Sequence, residues 1–188
     1  MSTLVVLVHP NIEESIINKN WRDALLSEGI DVHDLYLKYL DKDINVSDEQ
    51  ILLESYDNII FQYPMYWYSS PPLLKKYLDE VLLYGWAYGS NGNALKSKNI
   101  GIAVSIGAES DKYDSEKYTR YSPETLLSPM IATINFIGAN YIGLHKLYGA
   151  LNKLYGALNI SAEELEKSTM EYLLFVRKFE NSGSFLNE

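Results

Sequence analysis

Four stretches of this 188-residue chain place polar or aromatic residues where an apolar run ends. The first is His9-Pro10-Asn11-Ile12-Glu13-Glu14-Ser15-Ile16-Ile17-Asn18. It contains neither G-x-G-x-x-G nor G-x-x-x-x-G-K-[ST], so the usual dinucleotide and P-loop readings fail. A helix opening beside Ser15 and Asn18 still offers free backbone N–H groups and the positive end of its dipole to a phosphate, with no Lys or Arg required. The plainer reading makes Ser15 an N-cap and His9 a strand-end residue. The second stretch, Gln62 to Pro72, reads QYPMYWYSSPP. Four aromatics and a Met within six residues stand where a loop is normally polar. So much exposed apolar area covers something: a planar ligand, a partner subunit or the chain's own core. The third, Gly85-Trp86-Ala87-Tyr88-Gly89, sets glycines at both ends of an aromatic pair, as a shaped lid or a subunit contact would. The fourth runs Ser105-Ile106-Gly107-Ala108-Glu109-Ser110-Asp111-Lys112-Tyr113. A Gly just beyond a strand lets backbone approach a ligand closely, and Tyr113 is a candidate phenolic donor.

Composition removes other chemistries. There is no Cys, which excludes disulfides, thiolate metal sites and cysteine nucleophiles. The histidines His9, His33 and His145 have no metal-ligand spacing, and no G-x-S-x-G elbow occurs. His33 reads as a surface residue of a strand. A net charge of −9 argues against a nucleic-acid partner. No apolar run approaches the ~20 residues of a membrane span. The opening Met1-Ser2-Thr3-Leu4 lacks a basic n-region, so the expectation is a cytoplasmic protein without a signal peptide.

The elements that must position these stretches follow from periodicity. Residues 3–8 form a continuous β-branched apolar run, the pattern of a strand buried on both faces. Ile17, Trp21, Ala24, Leu25 and Glu28 keep helical spacing up to Gly29. A second strand is expected over 30–36 and a third over 58–62. Between them a capping box at Ser47-Asp48-Glu49-Gln50 opens a short helix. Ser70 caps a helix that starts at Pro71 and ends near Leu83. Strand four spans 99–105, an apolar helix 126–137, and strand five 141–144. Ser161-Ala162-Glu163-Glu164 is a further capping box. It opens a helix through Leu165, Met170, Leu173, Leu174 and Val176 to Phe179. Residues 1–180 read as one domain and 181–188 as a frayed tail. Such alternation means right-handed βαβ units, hence a five-stranded parallel sheet in the order 2-1-3-4-5 with helices on both faces. Ligands of such sheets sit beyond the carboxyl ends of the strands, where the order reverses. One oddity is a repeat: residues 146–152 read KLYGALN, and so do residues 153–159. Two copies are too few for a repeat fold, so a local duplication lengthening the connection after strand five is expected.

Three motifs together resemble the flavodoxin-like NAD(P)H:quinone oxidoreductases. They are H-P-x4-S-x2-N from His9, YPMYWYSSPPLLKKYLD from Tyr63, and GWAYG from Gly85. The similarity spans about residues 3–180 and is closest to short bacterial members, of the general stress protein 14 and potassium-efflux ancillary types. It implies FMN (rather than FAD), NAD(P)H as co-substrate, and ping-pong two-electron reduction of quinones or similar electrophiles. By position, His9, Ser15, Ile16, Ile17 and Asn18 would hold the flavin phosphate. Met65, Tyr66, Trp67 and Tyr68 would border the isoalloxazine. Ser105, Ile106, Gly107 and Ala108, standing where the family reads TTGG, would turn N–H groups to its pyrimidine edge. Tyr113 would assist hydride transfer; the His that partners it in larger relatives falls at Thr119. The family's sites lie at a homodimer interface, which would bring Trp86 and Tyr88 over the partner's flavin. The alternative implied is a flavin-containing regulatory subunit of a glutathione-gated potassium efflux transporter.

Overall fold

The computed structural model describes residues 1–113, 116, 118–150 and 160–181. β1 (Thr3–Leu7) leads into α1 (Ile17–Ser27), then β2 (Asp31–Asp34), α2 (Leu35–Tyr39) and α3 (Val46–Glu54). β3 (Asn58–Pro64), α4 (Pro72–Val81), β4 (Asn99–Ser105), α5 (Pro123–Leu126), α6 (Ser128–Phe136), β5 (Asn140–Leu147) and α7 (Ala162–Asn181) follow. The five strands are all parallel, in the order β2-β1-β3-β4-β5. β1, β3 and β4 are the apolar runs, and they occupy the middle because only central strands bury both faces.

Alternate side chains of the central strands feed two cores. Val5, Ile60 and Ala103 meet Trp21 and Leu25 of α1 and Tyr172 and Val176 of α7. Leu4, Val6, Ile59, Phe61, Ile100, Ile102 and Val104 belong to the second core, with Leu53 of α3, Leu74, Tyr77 and Val81 of α4, and Ile134 of α6. Each large side chain removed from water in this way contributes roughly 1.5–3 kcal/mol. Close approach of α7 depends on two glycines. A Cβ on Gly101 would stand 3.1 Å from the Phe175 ring, and Gly143, at φ 129°, lies under the same ring. Ile142 is the extra residue in a register shift between Gly101 and its neighbour, so β5 bends where α7 lies on it.

Several elements differ from the sequence expectation. Asn45, not Ser47, caps α3: its side chain accepts the Asp48 N–H, and Gln50, expected to close a box with Ser47, instead donates its side-chain amide to Val81 O. Ser70 does not cap α4, which starts at Pro72 with Pro71 as its N-cap and ends at Val81. The apolar helix expected over 126–137 is two helices broken at Leu127. Pro129 restrains Ser128 before it, and Ser122 caps the first piece by accepting the Thr125 N–H. β2 is shorter than expected, because Asp34 accepts the Leu37 N–H and turns the chain into α2. β5 is longer, so the first KLYGALN copy begins inside a strand. Most of both copies, residues 151–159, lies outside the described residues, as do residues 182–188 of the expected tail; Asn181 closes α7. His33 is not a surface residue: its imidazole is half-buried against Glu49. On α7 the inward face is Ser168, Tyr172, Val176 and Phe179, while Met170 and Leu174 are exposed. The capping box at Ser161 forms in full. Ser161 Oγ accepts the Glu164 N–H, and the Glu164 carboxylate accepts the Ser161 N–H.

Candidate functional site

Parallel strands put the loops after β1, β3, β4 and β5 at one edge of the sheet, and β1 and β3 flank the point where strand order reverses. In the first loop His9 Nδ1 accepts the Asn11 N–H at 3.1 Å, which leaves Nε2 as the protonated donor nitrogen. Burial lowers the His9 pKa against the raising field of Asp34, so the ring is neutral at pH 7. Ser15 Oγ accepts the Asn18 N–H at 3.1 Å and shapes the first turn of α1. The cations beside that turn are engaged. Lys19 and Arg22 both pair with Glu13, and Arg22 also with Asp23. An anion at this helix start is therefore left to backbone N–H groups and the dipole.

The loop after β3 is a two-residue turn. Tyr66 and Ser69 exchange both backbone hydrogen bonds at 2.9 Å. The residues between them, Trp67 and Tyr68, have φ of 47° and 64°. Such a turn normally carries Asn-Gly, because left-handed backbone costs an L side chain roughly 1–2 kcal/mol. Here two bulky aromatics occupy it, and the Trp67 side chain is 93% exposed. Met65, by contrast, is buried and donates its N–H to the Ser105 carbonyl, which ties this loop to β4.

After β4 the four residues expected to face a ligand divide. Ile106 is buried and gives its N–H to Leu147 O at 2.8 Å, so that donor is already engaged. The Ser105 hydroxyl accepts the Asn18 side-chain amide at 2.7 Å. Gly107 and Ala108 lie beyond the strand, and their N–H groups are the ones left to meet a ligand edge. Asn18 is likewise buried, at 1% exposure, and its amide serves Ser105 instead of an open phosphate site. Tyr113 is half-buried. Its ring centroid lies 5.7 Å from that of Tyr148, and burial, with the nearby phenols of Tyr68 and Tyr148, raises its pKa. Three loops thus bring three tyrosines together. Thr119 donates its N–H to Lys112 O at 3.4 Å, folding this loop back beside Tyr113.

The GWAYG segment lies at the other edge. Trp86 donates its indole N–H to Glu54, at the end of α3, and Ala94 donates its N–H to Trp86 O. Lys98, just before β4, reaches the carbonyl of the same Glu54. These contacts place Trp86 at the amino ends of β3 and β4, so the segment is not a lid over its own chain's site. Tyr88 packs edge-on to Tyr84, with centroids 5.8 Å apart, and against Phe136 at 5.4 Å.

Sequence reasoning missed Tyr148 and Tyr172, and placed Gln62 only as the first residue of the second stretch. Tyr148 sits in the repeat that was read as a connection. Gln62 is wholly buried at the end of β3; its one signal is a polar letter at the end of an apolar strand. Among the described residues no group of three or more His, Asp or Glu side chains could hold a metal ion. No helix among them is long and apolar enough to cross a membrane.

Residues 1–169 match the Flavodoxin_2 family, described as a flavodoxin-like fold. The chain is 51% identical to general stress protein 14 of Bacillus subtilis over 166 residues, covering 88% of this chain and 95% of that one. It is 44% identical to the uncharacterized NAD(P)H oxidoreductase YdeQ of the same organism over 181 residues, 96% of this chain and 88% of that one. With the glutathione-regulated potassium-efflux system ancillary protein KefF of Klebsiella aerogenes it shares 38% identity over 140 residues, 74% of this chain and 78% of that one. The solved structure of general stress protein 14 from Treponema denticola, in complex with FMN, superposes with a TM-score of 0.85 at 37% identity. It covers 95% of this chain and 99% of that one.

Proposed function

The chain belongs to the flavodoxin-like family, and from that premise we propose that it is an FMN-dependent NAD(P)H oxidoreductase reducing quinones or similar planar electrophiles. The observation that carries this reading is the turn at Trp67 and Tyr68. Two adjacent left-handed aromatics, one almost fully exposed, are kept at the sheet edge against their backbone preference. Strain of this kind persists where the surrounding structure and a function maintain it. The FMN-bound Treponema relative and the NAD(P)H oxidoreductase YdeQ support the same chemistry.

The residues fit the group. The start of α1 offers the N–H groups of Ile16 and Ile17 to a phosphate, with the Ser15 hydroxyl shaping the turn and neutral His9 beside it; the Ser15 N–H is taken by Ile12 O. Tyr66, Trp67 and Tyr68 offer an aromatic wall to a tricyclic ring, anchored by the buried Met65 that precedes them. Gly107 and Ala108 offer fixed N–H dipoles where negative charge develops on reduction, and fixed donors need no reorganisation at that moment. When bound, FMN supplies two-electron hydride acceptance and donation. The chain's own part is to bind, orient and keep water out, with Tyr113 as a neutral phenolic donor at the rim. One aromatic place would serve both NAD(P)H and acceptor, so the two alternate in ping-pong order. NAD(P)H and small electrophiles set this work in the cytoplasm. The active form is a homodimer, in which Trp86 and Tyr88, at the opposite edge from their own chain's site, would reach the partner's flavin.

The deciding experiment is a titration of purified protein with FMN, followed by flavin fluorescence. One FMN per chain is expected, followed by NADH or NADPH oxidation with a soluble quinone along parallel double-reciprocal lines. No binding sinks the reading. A second reading, a regulatory subunit of a potassium efflux transporter, is favoured by the similarity to KefF. FMN binding without quinone turnover, together with co-purification with such a transporter, would establish it instead.

A further inference from the structure

Four residues from four different elements form one buried polar chain behind the edge just described. The Tyr172 hydroxyl on α7 donates to Gln62 Oε1 on β3 at 3.1 Å. Gln62 Nε2 donates to the Asn18 carbonyl in the first turn of α1 at 3.0 Å. Asn18 Nδ2 donates to Ser105 Oγ at the end of β4 at 2.7 Å. All four residues are buried, Tyr172 and Gln62 completely. Gln62 also accepts the Val8 N–H on its own carbonyl at 2.8 Å, which fixes the end of β1. The chain therefore links the two stretches that face opposite ends of the proposed cofactor: the helix start after β1 and the loop after β4.

We infer that Gln62 and Tyr172 are positioning residues for FMN, and that through them the C-terminal helix sets the cofactor's affinity. This rests on the FMN reading above. A Gln amide has a donor end and an acceptor end of nearly the same shape. Only the donor end suits the Asn18 carbonyl, because the acceptor end would set oxygen against oxygen. The Asn18 carbonyl thus fixes Nε2 toward α1, and the Tyr172 hydroxyl, which can turn to donate, satisfies the buried Oε1 on the other side and braces it from α7. Burial raises the Tyr172 phenol well above its ordinary pKa, so it remains a donor. Its ring is held in turn by Trp21 at 5.2 Å and by a stacked His145 at 5.0 Å. With the amide fixed, the first turn of α1 and the end of β4 keep a constant separation, and both ends of a rigid ligand can be met at once.

Tyr172→Phe removes one hydroxyl and no packing volume of consequence. The expected result is an FMN dissociation constant raised about 3- to 10-fold, the range of one neutral buried hydrogen bond. The control is Val176→Ala, one turn along the same buried face of α7, which lowers the melting temperature and leaves FMN affinity within 2-fold of wild type. A role confined to stability would move both variants alike in melting temperature and neither in affinity. If Tyr172→Phe does not fold, Gln62→Met/Tyr172→Phe, which removes both polar partners together, carries the same expectation. Wild type that binds FMN beside a variant that binds it equally tightly overturns this inference alone. Wild type that binds no FMN overturns the reading of the site and this inference with it.

Discussion

At Glu49 a carboxylate without solvent contact accepts from His33, Lys38, Tyr39 and Tyr77 at 2.5 to 3.1 Å. Burial pushes its pKa up, but the bonds from His33, Tyr39 and Lys38 outweigh it and hold the group at about 2. Its folded value lies below the ordinary 4.5, so its contribution is complete above pH 4.5 and disappears as pH falls through about 2. His145 behaves alike for another reason. Burial lowers it from 6.5 to about 4, so stability is lost as pH falls from 6.5 through 4. Urea unfolding followed against pH is expected to weaken first below 6.5 and more steeply below 4.5. Glu49→Gln should flatten the lower window only, while costing about 2–4 kcal/mol at neutral pH. A wild-type stability unchanged between pH 7 and 3 contradicts both assignments. Tyr113 belongs to the same scale. Tyr113→Phe is expected to slow flavin reduction by NAD(P)H about 10-fold or less, since one neutral hydrogen bond is worth roughly 0.5–1.5 kcal/mol. An unchanged stopped-flow rate would reassign it to packing against Tyr148.

At the element scale the turn after β3 trades stability for display. Replacing Trp67-Tyr68 by Asn-Gly gives the left-handed backbone the residues it prefers. The gain is about 1 kcal/mol, because glycine returns part of it as extra freedom of the unfolded chain. For a chain of this size that is a rise of roughly 2–4 °C in melting temperature. FMN affinity should fall in the same variant. Calorimetry and a flavin titration on one sample test both, and a variant that melts lower than wild type would show that the turn carries no strain.

For the whole molecule, the proposed dimer has a candidate face. Tyr84 and Phe136 are 69% and 71% exposed, and Tyr88 packs between them. Large aromatics with few charges are what interface cores favour. The face lies at the edge away from the loops proposed to hold FMN, so in the proposed dimer it would serve the partner's site. Phe136→Asp is expected to shift the protein toward monomer in light scattering and to lower FMN affinity, although Phe136 is remote from its own chain's flavin loops. A monomeric wild type with full activity at micromolar concentration would exclude the arrangement.

By itself the sequence determined the fold class. Three continuous apolar strands and intervening helices admit few arrangements once crossovers must be right-handed, and the order β2-β1-β3-β4-β5 is one of them. It also marked three stretches that meet at one edge of the sheet, those after β1, β3 and β4, while the fourth, GWAYG, lies at the other edge. The tertiary structure alone decided what the polar residues do. Asn18 and Ser105 are 87 positions apart, Gln62 and Tyr172 110, and His33 and Glu49 16. Periodicity reports which face an element buries against its neighbours. It carries nothing about which lone pair meets which proton in the folded chain, so neither the Ser105 hydroxyl as partner of the buried Asn18 amide nor the pairing of His33 with the buried Glu49 carboxylate was legible. The Ile106 N–H followed the same rule: its partner, Leu147, is chosen by the register of β4 on β5, which no local pattern encodes.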